Sequence, residues 1–208
     1  MKILLQLLLA IFSIGSVLAQ DDEEQPFVRS NEIGVMGGIG FNRLTGLNIY
    51  SGGAKNTLAN AGVFYGRTFV PKVKMRLGFN MSFMFSNNEF ENGYSNYRSM
   101  HIEIPLQFHF IFNPQNRVQG YVGLGVSINR WMNTQLKSET NGVESTAKTY
   151  NPKKGTQLAP VILAGVNFKL NEEFSLFIQP EYRPVALQKQ TNTRLNSVVV
   201  FLGMTYHL

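Results

Sequence analysis

The chain has 208 residues, no cysteine, a formal charge of +6 and 44% apolar residues. Without cysteine a disulfide-stapled scaffold is excluded, so stability has to come from size, packing or a membrane. The basic residues are scattered and no recognition motif gathers them, which argues against nucleic acid and for a surface facing anionic lipid or polysaccharide.

The chain opens MKILLQLLLAIFSIGSVLAQ: one lysine, an apolar run, then Val17-Leu18-Ala19. This predicts a secretory signal peptide over residues 1–19, cut after Ala19. A membrane anchor would be longer and would not be followed by QDDEEQ. No cysteine follows the cut, so no lipid anchor is expected. The acidic tract within 20–31 reads as a polar tail whose charges repel one another rather than ligate a metal.

From there on, apolar residues recur with period two, the signature of strands with two unlike faces. Residues 32–42 and 58–69 are glycine-rich and alternate least cleanly. Residues 73–86 set Val73, Met75, Leu77, Phe79, Met81, Phe83 and Phe85 against Lys74, Arg76, Gly78, Asn80, Ser82, Met84 and Ser86. Residues 101–112 set Ile102, Ile104, Leu106, Phe108, Phe110 and Phe112 against His101, Glu103, Pro105, Gln107, His109 and Ile111. Residues 118–131 set Val122, Leu124, Val126 and Ile128 against Tyr121, Gly123, Gly125, Ser127 and Asn129. Leu158, Ile162, Val166, Phe168 and Leu170 share a face over 157–170. Phe174, Leu176, Ile178 and Tyr182 stand opposite Ser175, Gln179, Glu181 and Arg183 over 174–185. A last strand covers 196–208.

These are eight strands. Their connections alternate between short (70–72, 113–116, 171–173) and long (43–57, 87–97, 132–156, 188–195). Such alternation suits an up-and-down barrel with one trimmed and one elaborated rim. No later stretch approaches the length of a membrane helix, so a chain that sits in a membrane must close into a barrel. A soluble lipocalin-like calyx carrying an apolar ligand would turn the greasy faces inward; a transmembrane barrel turns them outward. The second sense is favoured. The opposite faces carry charges of both signs that can pair across a narrow lumen: Lys74, Arg76, His101, Glu103, Gln107, His109, Lys169, Glu181 and Arg183. Gly78, Gly123, Gly125, Gly165 and Gly203 would make room for the long side chains. Phe69, Phe110, Phe112, Phe168, Phe174 and Tyr206 gather near the short turns, as an interfacial girdle would.

The fold expected is therefore all-β: an eight-stranded antiparallel up-and-down transmembrane β-barrel over residues 32–208. Residues 20–31 become a periplasmic tail, the cell outer membrane the location, and a monomer the expected state. The ending FLGMTYHL places Gly203, Tyr206 and Leu208 as in the terminal signal that outer-membrane barrels present to the barrel-assembly machinery.

Little reads as reaction chemistry. His101 and His109 share a face but lie about 26 Å apart along a strand at roughly 3.3 Å per residue, too far to share one ion. No cofactor or metal is expected, and these residues read as a structural hydrogen-bonded network. His207 reads as structural too. Ser95 and Ser99 lie near His101, but there is no GxSxG elbow, so a lipid-A-modifying enzyme is the weaker alternative. The segments 87–97 and 132–156 are candidates for recognition of a partner.

IEIPLQFHFIF, together with GVMGGIGFN, AGVFYGRTF, GYVGLGVSINR, LAGVNFKL and LFIQPEYRPVAL in that order, resembles the PorT-like outer-membrane β-barrel family of Bacteroidota. The resemblance covers nearly the whole mature chain. It implies an eight-stranded outer-membrane barrel and, in some members, a tie to protein secretion across the outer membrane, most members having no assigned role; outer-membrane lipid and an envelope protein are the partners expected for this chain. It carries no catalytic residues.

Overall fold

A computed structural model describes residues 30–45, 55–90, 93–140, 142–147, 156–188 and 193–208. The expected leader and nearly all of the expected tail lie outside the described residues. The strands are β1 (Asn31–Thr45), β2 (Lys55–Val70), β3 (Val73–Phe90), β4 (Gly93–Phe112), β5 (Val118–Thr140), β6 (Val143–Ala147), β7 (Thr156–Lys169), β8 (Phe174–Gln188) and β9 (Thr193–His207). Each of β1 to β5 pairs antiparallel with the next, as do β7, β8 and β9. β5 pairs with β7 along its inner half and with the short return β6 along its outer half. β1 pairs with β9 from Glu32↔His207 to Thr45↔Arg194. Eight strands thus close into an antiparallel up-and-down barrel, and β6 is an extension of its outer rim.

The tight turns use local chemistry. Asn113 adopts a left-handed conformation (φ 51°), which asparagine tolerates better than most residues. In the turn before β8, the side-chain oxygen of Asn171 accepts from the backbone N–H of Glu173 and Phe174 at 3.0 and 2.7 Å.

All four expected long loops are shorter than the sequence suggests, most of all those that follow β3 and β5. β3 runs to Phe90, β4 begins at Gly93 and β5 continues to Thr140. Their Asn, Ser and Tyr residues look like loop, but the register continues through Asn87↔Asn96 and Tyr94↔Glu139. Pairing with a neighbour overrides composition there.

The faces sort with charge inside and hydrocarbon outside. Ile39, Phe41, Leu124 and Phe108 are 50–73% exposed on the outer wall, while Arg76, Glu103, Gln107, Glu181 and Arg183 are at most 3% exposed within. That is the reverse of a soluble sheet and excludes the calyx. The lumen is not uniformly polar, however. Met36, Leu58, Phe64, Met84, Trp131, Phe177, Val199 and Phe201 also point inward and pack together. A narrow barrel interior has to be filled by volume, and rings fill it as well as ion pairs do.

Strand prolines mark where the wall is interrupted. Pro105 pairs with Ser127 on β5, but the β3–β4 register skips from Leu77↔Leu106 to Asn80↔Glu103 beside it. Pro160 pairs with Val126, Pro180 with Val200 and Pro184 with Asn196, and none of the three has a registered partner across the β7–β8 seam. Lacking an N–H, proline is accommodated where one side of the strand behaves as an edge.

Candidate functional site in the barrel lumen

The lumen holds one continuous polar cluster with two centres. The first is Glu32, at the start of β1. It accepts from Lys74 Nζ at 2.8 Å and Arg76 Nη2 at 3.1 Å, both from β3. Its side chain has room because residue 66, facing it on β2, is glycine; a Cβ there would lie 2.5 Å from the carboxylate. The guanidinium of Arg76 lies 3.9 Å from the centre of the Phe64 ring and 4.8 Å from that of Phe177, so aromatic faces as well as a carboxylate stabilise its charge.

The second centre is Arg183 on β8, held between two carboxylates. Its Nε donates to Glu181 at 2.7 Å, and it forms an ion pair with Glu103 on β4. Glu103 also bonds His101 Nε2 at 2.7 Å, and the His101 ring lies against Trp131 with centroids 4.7 Å apart. Glu181 accepts from Gln107 at 2.8 Å and from Gln179 at 2.6 Å.

Gln179 joins the two centres: its side-chain oxygen accepts from Tyr121 at 2.8 Å and from Arg76 at 3.3 Å. His109 bonds Gln107 at 3.1 Å and stacks flat on Tyr121 with centroids 4.9 Å apart. Charges buried this deeply are tolerable only when paired and hydrogen-bonded, as these are.

Of the residues expected in this network, Lys74, Arg76, His101, Glu103, Gln107, His109, Glu181 and Arg183 are brought together. Lys169 is not. As the last residue of β7 it reaches the inner rim, where its ammonium donates to the carbonyl of Pro114 at 3.1 Å. Sequence reading missed Glu32, Tyr121 and Gln179 as members. Parity could have found Gln179 and Tyr121, which lie on the charged faces of their strands. His101 and His109 sit at separate points of the cluster, and no three His, Cys, Asp or Glu side chains among the described residues form a metal-binding group. The glycines do less for charge than expected: Gly165 and Gly203 seat the rings of Tyr121 and Phe177.

At the inner rim, His207 bonds Ser175 at 2.8 Å and approaches Glu32 at 4.0 Å. Phe69, Phe110, Phe168 and Tyr206 face outward there at 37–46% exposure, with Phe110 beside Phe112 and Tyr206 beside Phe174. Leu208 is 65% exposed on the same side.

No curated protein matches the sequence. Among solved structures, Neisserial surface protein A is similar at 14% identity, covering 84% of this chain and 96% of that one with a TM-score of 0.48. OprG from Pseudomonas aeruginosa is similar at 14% identity, 86% and 96% coverage and a TM-score of 0.47. Ail of Yersinia pestis is similar at 16% identity, 86% and 99% coverage and a TM-score of 0.43. The family model described as "Outer membrane protein beta-barrel domain" matches residues 7–207. With the apolar outer wall and the closed β1–β9 seam already established, this match means that the chain belongs to the outer membrane protein beta-barrel domain family and resides in the cell outer membrane.

Proposed function

We propose that the protein is a monomeric, non-enzymatic barrel that serves as a scaffold for an envelope protein partner. The observation that carries this reading is the filled lumen. Ion pairs and rings occupy the interior from Glu32 to Trp131, which leaves the barrel suited to holding its shape rather than passing solutes. Above it, β4, β5 and β6 extend as a paired ribbon from the outer rim, the natural place for a partner to bind. The sequence resemblance to the PorT-like barrels of Bacteroidota supports a partner in a protein-secretion complex. Gly203 and Tyr206 on β9, with Leu208 just past its end, support engagement of the barrel-assembly machinery during insertion.

The test is site-specific photo-crosslinking in intact cells from position 143 on β6, with position 41 on the lipid-facing wall as reference. A discrete protein adduct from 143 and none from 41 supports the scaffold. Lipid adducts alone, or hydrolase activity of the purified barrel on lipid A, would remove it in favour of the lipid-A-modifying enzyme.

A further inference from the structure

Scaffolding does not explain how the prolines of the β7–β8 seam are placed. At the inner rim Lys169 N–H donates to the carbonyl of Arg117 at 2.8 Å, and Leu170 N–H donates to that of Phe174 at 2.9 Å. The carbonyl of Glu173 accepts from His207 N–H at 2.7 Å. Along a strand the backbone groups of successive residues point to alternate neighbours. No register shift interrupts β7, or β8 before Ala186. The backbone groups of even-numbered residues on β7 and β8 therefore face each other across the seam. Pro160, Pro180 and Pro184 are all even-numbered, so each turns its ring nitrogen into the seam. Continued through Ile162↔Tyr182, the register sets Ala164 opposite Pro180 and Pro160 opposite Pro184. Proline has no N–H to give. The carbonyls of Ala164, Pro160 and Pro184 are thus left without a ladder donor, and between Pro160 and Pro184 two acceptors face each other. Hydrocarbon supplies no donor either.

The wall is dented directly below. Ala164 points its side chain outward by parity yet is only 8% exposed. With Ile162, Pro180, Tyr182, Phe108 and Leu124 it lines a groove of about 520 Å³ in the lipid-facing wall. Pro160 and Pro184 lie beyond Ile162 and Tyr182 toward the outer rim. The seam thus carries an apolar trough with bare carbonyl oxygens at its outer end.

We propose that this trough holds a single-chain lipid of the outer leaflet with a neutral hydroxyl headgroup, of the monoacylglycerol class. The acyl chain lies in the groove and points to the midplane, and the hydroxyls donate to the carbonyls of Pro160 and Pro184. Hydroxyls on adjacent carbons can reach both strands, which lie about 4.8 Å apart in a sheet. The chemistry of the acceptors selects the head. A carboxylate or phosphate has only acceptors to offer them. An ammonium would lose its hydration without gaining a counter-charge, because Glu181 points into the lumen, where Gln107 and Arg183 hold it. This goes beyond partner binding at the outer ribbon and needs only the membrane setting.

The test uses the full chain in an amine-oxide detergent, whose head donates no hydrogen bond, and native mass spectrometry with three probes. These are palmitoylglycerol, the same lipid with both hydroxyls methylated, and palmitate. Palmitoylglycerol should bind on the order of tenfold to a hundredfold more tightly than the other two, as the loss of two hydrogen bonds implies. Ala164→Phe fills the trough and should abolish binding, while Val63→Phe, outward on the opposite wall, should not. Pro160→Val together with Pro184→Val supplies the missing donors and should weaken binding by about tenfold. Heat-modifiable gel migration reports that each variant is folded. If a variant is not, the methylated probe on the unaltered protein decides alone. Equal binding of the methylated lipid or of palmitate, unchanged affinity of a folded Ala164→Phe variant, or unchanged affinity of the folded double-proline variant would each overturn the proposal.

Discussion

Two seams of the barrel wall differ in kind. Between β1 and β9 the ladder is unbroken, fourteen registered pairs from Glu32 to Thr45. Between β7 and β8 only six are registered, with a gap between Leu163↔Glu181 and Val166↔Ile178 and none above Ile162↔Tyr182. The difference traces to sequence. β1 and β9 contain no proline, whereas Pro160, Pro180 and Pro184 all lie along the second seam. On the membrane side this seam meets an apolar groove of about 520 Å³ that includes Ile162, Ala164, Pro180 and Tyr182. Backbone groups left unpaired next to lipid are costly, so the seam should open unless something else holds β8.

That something is inside. Through the lumen, β8 is tied to β3 by Arg76–Gln179, to β5 by Tyr121–Gln179, and to β4 by both Gln107–Glu181 and Arg183–Glu103. The strand with the poorest ladder to its neighbour thus carries the densest set of cross-lumen bonds. The comparison teaches that the buried charges do structural work that the backbone cannot do at a proline-rich seam.

The largest effect should come from moving the defect to the intact seam. Ile39 pairs with Ala59 on one side and Val200 on the other. Ile39→Pro removes a ladder donor where neither side is an edge, and should cost about 3 kcal/mol or more. Heat-modifiable migration after refolding into lipid vesicles reads this; a variant as stable as the parent would erase the distinction between the seams.

Next comes Glu181→Leu, which leaves Arg183 half-paired in the lumen. A loss of about 3–5 kcal/mol is expected by urea unfolding from vesicles. A loss below about 1 kcal/mol, within the range of an exposed pair, would mean the network is not what holds β8.

Pro180→Val restores an N–H facing the gap and should stabilise by about 1 kcal/mol. Combined with Glu181→Leu it should also reduce the cost of that change by about 0.5 kcal/mol or more, a coupling that strict additivity would contradict. The smallest effect is local. The amide of Ala164 should exchange with solvent deuterium faster than those of Ile39 and Val200, and equal protection would show that the seam is sealed by other means.

Much of this was legible in the sequence. Where one face is charged and the other apolar, as in β3 and β4, parity alone placed Lys74, Arg76, Glu103 and His109 inside. Where both faces are apolar the same parity held on weaker contrast: Phe177 shares its side with Ser175 and Gln179 against Leu176 and Ile178, and Phe201 shares its side with Gly203 and Thr205 against Val200 and Leu202. Glu32 was hidden by the glycine-rich strand around it, although a lone acid facing Gly66 is what makes room for two cations. The bulge at Met132, which the register skips between His101↔Trp131 and Met100↔Asn133, left no composition signal, so neither the reach of β5 nor the outward turn of Lys137 could be read before pairing was known. Lys169 shows the opposite limit: its parity is inward, but its position at the end of β7 decides its partner.

The closed β1–β9 seam also dictates an order of events. Its partners are the most distant in the chain, Glu32 with His207, so the loop that must be closed to form it is nearly the whole described protein. Contacts of such separation form late and slowly. Every earlier species exposes two unpaired strand edges, β1 and whichever strand is last to have docked, and neither can rest in hydrocarbon. Deletion of β9 should therefore leave no smaller barrel behind, only an assembly arrested with β1 waiting for a partner, at the point where another chain's strand could take its place.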